Sequence, residues 1–127
     1  MSNDKFPIKR YDIHDRIFEF IVSVIELIKL LPKSPQNLII IGQVMRSVTS
    51  MGANDQEADG SSTRKDFLHC YTIVRKEGKE TIFWLKLLER TNNSPLINKK
   101  INDLIKEGNE IVAIVSTIIS KTAAHTK

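Results

Sequence analysis

The chain has 127 residues, 41% hydrophobic and 27% charged, with one cysteine and a formal net charge of +4 at neutral pH. That length fits one domain that buries a core without metal or disulfide staples, and a lone Cys70 excludes an intrachain disulfide, so a reducing, cytoplasmic setting is expected. The opening MSNDKFPIKRYD lacks an apolar signal core, no apolar run is long enough for a membrane span, and the mild positive charge is compatible with a nucleic-acid partner without requiring one.

Asp12 is placed to cap a first helix running to Leu31, and Asp15 adds negative charge where the helix dipole favours it. Ile13, Ile17, Phe20, Val24, Ile28 and Leu31 recur at steps of three and four, and Pro32 stops the helix. Ser34-Pro35 starts a second helix near 35–58, because serine caps well and proline suits the first helical position. Its stripe is Ile41, Val44, Val48 and Met51. The run Leu38-Ile39-Ile40-Ile41 taken alone would also fit a buried strand. Gly60 is expected to end this helix in a left-handed cap.

Any of Ser61, Ser62 and Thr63 can cap a third helix near 62–91. Its stripe, Phe67, Tyr71, Val74, Gly78, Thr81, Leu85 and Leu88, steps by four and three throughout. Ser94-Pro95 then repeats the start signal for a fourth helix near 95–121, carrying Ile97, Ile101, Leu104, Gly108, Ile111, Val115 and Ile118, with a loose tail from Thr122. Short connections make neighbours antiparallel, so the expected fold is an all-α, up-down-up-down four-helix bundle forming one domain over 1–127. Gly78 and Gly108 lie equally far from the turn between the last two helices. They are expected to lie level and allow close approach, or else to be two tolerated glycines on separate faces.

A polar row runs beside the core stripe of the second helix: Gln43, Ser47, Ser50, Asn54 and Glu57, with Arg46 at its edge. The matching row on the third helix is Asp66, Cys70, Ile73, Glu77, Glu80 and Trp84. Counted from the turn, Arg46 falls level with Glu77, so an ion pair to Glu77 or Glu80 is expected; the alternative is solvation on separate faces. Asp55, Glu57 and Asp59 crowd a helix C-terminus, where negative charge is disfavoured, and Arg64 and Lys65 could neutralise them unless the turn is simply solvated.

Catalytic and metal patterns are missing. His14, His69 and His125 are isolated, no Cys/His spacing suits zinc, and Cys70 has no partner base. Glu77 and Glu80 share a face without the Glu-x-x-His repeat of a di-iron bundle. No phosphate-binding glycine loop or nucleophile elbow occurs, so neither an enzyme nor a cofactor is expected. Trp84 and the other aromatics read as core or interface positions, and the cations of the third helix, Arg64, Lys65, Arg75, Lys76, Lys79, Lys86 and Arg90, as dispersed.

Several segments carry a resemblance: Ser50-Met51-Gly52-Ala53-Asn54 with Glu57-Ala58, Asp66-Phe67-Leu68-His69, Lys76-Glu77, Glu80-Thr81, Trp84-Leu85 and Leu87-Leu88. In these the chain resembles the small proteins encoded in intervening sequences of bacterial 23S ribosomal RNA genes, the S23 ribosomal protein family. The match is close over the second and third helices and by pattern over the others. The resemblance implies an antiparallel four-helix bundle assembling as a homopentameric ring, with no catalytic residues. It also implies kinship to the accessory protein of diversity-generating retroelements, a basic pentamer that binds nucleic acid and a reverse transcriptase.

The function expected is a non-enzymatic cytoplasmic oligomer binding structured RNA or DNA through basic residues, with Lys9, Arg10, Arg64, Lys65, Arg75 and Lys79 as candidate phosphate contacts. The alternative is a protein-interaction or scaffold module without a nucleic-acid ligand. In it Arg46, Asn54, Glu57, Glu77, Glu80 and Trp84 form an interhelix or subunit-interface network.

Overall fold

Each helix starts on a short polar side chain that takes up an otherwise unpaired backbone N–H. In a computed structural model, which describes residues 12–125, Asp12, Ser34, Thr63 and Ser94 accept from the amides of Asp15, Asn37, Asp66 and Ile97. The helices they start are α1 (Ile13–Leu30), α2 (Pro35–Asp59), α3 (Arg64–Thr91) and α4 (Pro95–Ala124). Two ends differ from expectation. Gly60 has φ −92°, so no left-handed cap forms; Ser61 instead closes the turn by giving its N–H and hydroxyl to the Ala58 carbonyl. α4 runs on to Ala124, and His125 Nδ1 reaches back to the Lys121 carbonyl at 2.7 Å.

The helices form a four-membered bundle in which α1–α2, α2–α3, α3–α4 and α4–α1 pack and the diagonal pairs have no Cα atoms within 8 Å. The apolar stripes meet along its axis: Ile17, Phe20 and Val24 from α1, Val44, Val48 and Met51 from α2, Tyr71, Val74, Leu85 and Leu88 from α3, Ile101, Ile111 and Val115 from α4. Each such side chain contributes roughly 1.5–3 kcal/mol by leaving water. The Leu38–Ile41 run is helical, and only Ile40 in it is buried. A reciprocal amide pair stitches the α1–α2 and α3–α4 turns together: Asn37 Nδ2 donates to Asn92 Oδ1 (2.9 Å) and Asn92 Nδ2 to Asn37 Oδ1 (3.0 Å).

The two stripe glycines do not lie level. A Cβ on Gly78 would sit 3.0 Å from Val112, and one on Gly108 would sit 3.0 Å from Ile82. The glycines are thus one turn out of step, and each leaves a hollow for a branched side chain of the facing helix. Their tolerance of alanine should differ. The Gly108 site is pinched from two sides, by Ile82 and by Phe20 at 3.3 Å, whereas beyond Val112 the Gly78 site meets the flexible end of Met51 at 3.4 Å. Gly108→Ala is expected to lose about 1–2 kcal/mol through overpacking, partly offset by better helix propensity. Gly78→Ala should lie nearer zero, and urea denaturation of the two variants measures the order.

Candidate nucleic-acid interface

The outward side of α3 carries a row at alternating steps of four and three: Lys65, His69, Thr72, Lys76, Lys79, Phe83, Lys86 and Arg90. All eight are exposed, and Arg75 flanks the row, half-buried on the side toward α4. No acidic residue falls on this face. Asp66, Glu77 and Glu80 turn toward α2, and Glu89 toward α4, as the same helical spacing requires. From Lys65 to Arg90 the row spans roughly 38 Å at ~1.5 Å per residue. Ion pairs among the described residues involve His14, Arg16, Lys29, Arg46 and Lys99, and none of the α3 row. The adjoining edge of α4 is neutral and polar, with Asn102, Asn109 and Ser120 exposed.

The candidate phosphate contacts therefore divide. Lys65 and Lys79 stand on the row and Arg75 beside it. Arg64 does not, since its guanidinium donates to the His125 carbonyl at the end of α4. Lys9 and Arg10 lie outside the described residues. Lys76, Lys86 and Arg90 belong to the row although they were not among the candidates. The cations of α3 are thus not dispersed.

A separate polar network joins α2 to α3. Arg46 pairs with Glu77 Oε1 at 3.3 Å and with Glu80, and its Nε donates to Gln43 Oε1 at 3.2 Å. Glu80 also accepts from the Trp84 indole N–H at 3.1 Å. The Trp84 hydrogen bond and then Arg46 hold the Glu80 carboxyl below its usual range against the opposing effect of burial. Asn54 is not in this network; its amide donates to the Ser50 carbonyl one turn back, at 3.0 Å. Glu57 lines a groove with Asn54, Asp66, His69 and Cys70 beside the α2–α3 turn. Burial first, then the charges of Glu57 and Asp66, push the Cys70 thiol up, so it is protonated and a poor nucleophile.

The acids at the end of α2 are held in a way the sequence did not indicate. Asp55 is 2% exposed and accepts from Tyr71 Oη at 2.7 Å, while its oxygens lie 2.8 and 3.0 Å from His14 Nδ1. Asp59 lies 3.5 Å from His14 Nε2. The basic side chain beside Asp55 and Asp59 is thus His14 of α1 rather than Arg64 or Lys65. On its other side α1 is tied to α4 by Arg16, which bonds Glu107 at 2.6 Å and Glu110 at 2.8 Å.

Burial pulls the His14 pKa down, but the bond to Asp55 and the charges of Asp55, Asp59 and Asp12 outweigh it, so the net shift is upward. A raised folded-state pKa stabilises fully below the ordinary value near 6.5 and loses that effect as pH climbs through the raised value. The stability gap between wild type and His14→Ala should therefore be widest near pH 6 and narrow at alkaline pH, as denaturant midpoints across pH would record.

Among the described residues no group of His, Cys, Asp and Glu is arranged to hold a metal ion, and no helix is long and apolar enough to cross a membrane. A family model described as 23S rRNA-intervening sequence protein matches residues 9–117. The chain is also similar to a crystal structure from Bacteroides thetaiotaomicron, described as a protein with unknown function from the S23 ribosomal protein family. The two are 32% identical, with a TM-score of 0.76 over 85% of this chain and 98% of the other. No curated protein matches it.

Proposed function

Since the chain belongs to the 23S rRNA-intervening sequence protein family, we propose that it is a non-enzymatic, oligomeric bundle that binds structured RNA or DNA along the outward face of α3. The row of exposed cations on that face, none of them in an ion pair among the described residues, carries the reading. Phosphate binding draws on counterion release and needs many cations facing one way, which a net charge of +4 alone does not guarantee. Assembly into a ring, a homopentamer as the resemblance implies, multiplies the rows available to one ligand.

A surface for that assembly lies elsewhere on the bundle. Phe18 on α1 and Leu38 on α2 are exposed, and helical spacing sets the half-buried Ile21, Ile25 and Met45 on the same α1–α2 side. An exposed apolar surface of this kind favours contact between copies and would leave α3 open. The buried thiol of Cys70 suits a reducing, cytoplasmic compartment.

The test is titration of a structured RNA and a duplex DNA with the purified protein at low salt, with oligomer mass recorded in the same buffer. Binding by a stable oligomer is expected. A stable oligomer that binds neither ligand would overturn this reading in favour of a protein scaffold.

A further inference from the structure

Phe83 stands out on the α3 row. It is 55% exposed, with Lys79 and Lys86 one turn away on either side and Lys76 and Arg90 one turn beyond. Its ring is braced edge-on by Trp84, with centroids 4.9 Å apart and planes at 71°. Trp84 is itself fixed by its bond to Glu80, which Arg46 holds in turn. A rigid apolar ring is therefore presented outward from the middle of an otherwise cationic face.

Paired bases are stacked out of reach, so a duplex backbone would satisfy the cations and leave the ring facing anionic phosphates. An unpaired base offers a flat face to stack on, while the phosphates on either side meet the lysines. We propose that Phe83 is a base-stacking contact, and that the preferred ligand is nucleic acid with unpaired bases, a single strand or a loop, laid along α3. This rests on the nucleic-acid reading above and narrows it.

The experiment compares a stem-loop RNA with the fully paired duplex of its stem. Phe83→Ala should weaken stem-loop binding about tenfold or more. Duplex binding and oligomer mass should not change, and Phe83→Trp should retain affinity. Quenching of Trp84 fluorescence should accompany stem-loop binding. Equal losses on both ligands, no loss on the stem-loop, or a change in oligomer mass, which would place a second copy over the ring, would each overturn the proposal. Wild-type binding that Phe83→Ala leaves intact defeats this inference alone; no wild-type binding to either ligand defeats the nucleic-acid reading with it.

Discussion

Replacing Asp55 with alanine is expected to cost about 3 kcal/mol of unfolding free energy, a large fraction of the stability of a domain this size. Among the described residues the carboxylate is the one hydrogen-bond partner of the buried Tyr71 hydroxyl, and it is the main partner of His14. Its removal leaves a phenol donor in the core without an acceptor, and burial has already pushed the Tyr71 pKa upward, so ionisation offers no relief. It also releases the polar tie between α1 and α2, leaving α1 held on its other side by Arg16. Tyr71→Phe should be milder, at about 1 kcal/mol, because the ring stays packed against Phe67 and Asp55 keeps His14. Urea denaturation provides the comparison. An Asp55→Ala variant within about 0.5 kcal/mol of wild type would show that these bonds do not fasten the bundle.

Reversing two charges at the middle of α3 should have the largest effect on binding. Lys76 and Lys79 are exposed and adjacent on the row. Among the described residues neither takes part in an ion pair, and Lys76 adds only its nearby charge to the field that lowers the Glu80 pKa, so Lys76→Glu with Lys79→Glu should cost no more than about 1 kcal/mol of stability. On a phosphate backbone the exchange removes two favourable contacts and adds two repulsive ones in every subunit that touches the ligand. Affinity at moderate salt should fall about a hundredfold. Lys29→Glu serves as the control: Lys29 is a cation on α1, paired with Glu26 at 3.0 Å and remote from the row. A loss no greater than the control's would remove α3 from the interface.

How far these features can be read from the chain alone depends on whether they are local. Caps and apolar periods are local, so the helices, their order and the antiparallel pairing follow from the sequence. Counting from the α2–α3 turn likewise brings Arg46 to Glu77 and Glu80, because both helices are regular on either side of a short connection. His14 and Asp55 are 41 positions apart on different helices. No period links them, and only the packing of α1 against α2 brings them together. Asn37 and Asn92, 55 positions apart, share that property. The α3 cations present a different difficulty. Their spacing is visible in the sequence, but the doublets Arg64-Lys65 and Arg75-Lys76 blur it, because adjacent residues point about 100° apart and only the second of each pair stands on the row. Phe83 looks like a core aromatic until the burial of Ile82 and Leu85 beside it shows the other side of the helix turned inward.

The measurement closest to the central claim is the affinity of the wild-type protein for a stem-loop RNA as a function of salt, with oligomer mass followed throughout. If the α3 rows bind the backbone, the logarithm of the association constant should fall linearly with the logarithm of salt concentration. The slope should be steeper than about −3, as several phosphate contacts per complex require, and Lys76→Glu with Lys79→Glu should flatten it. A slope near zero, or one that the α3 variant leaves unchanged while the oligomer stays intact, would contradict the account.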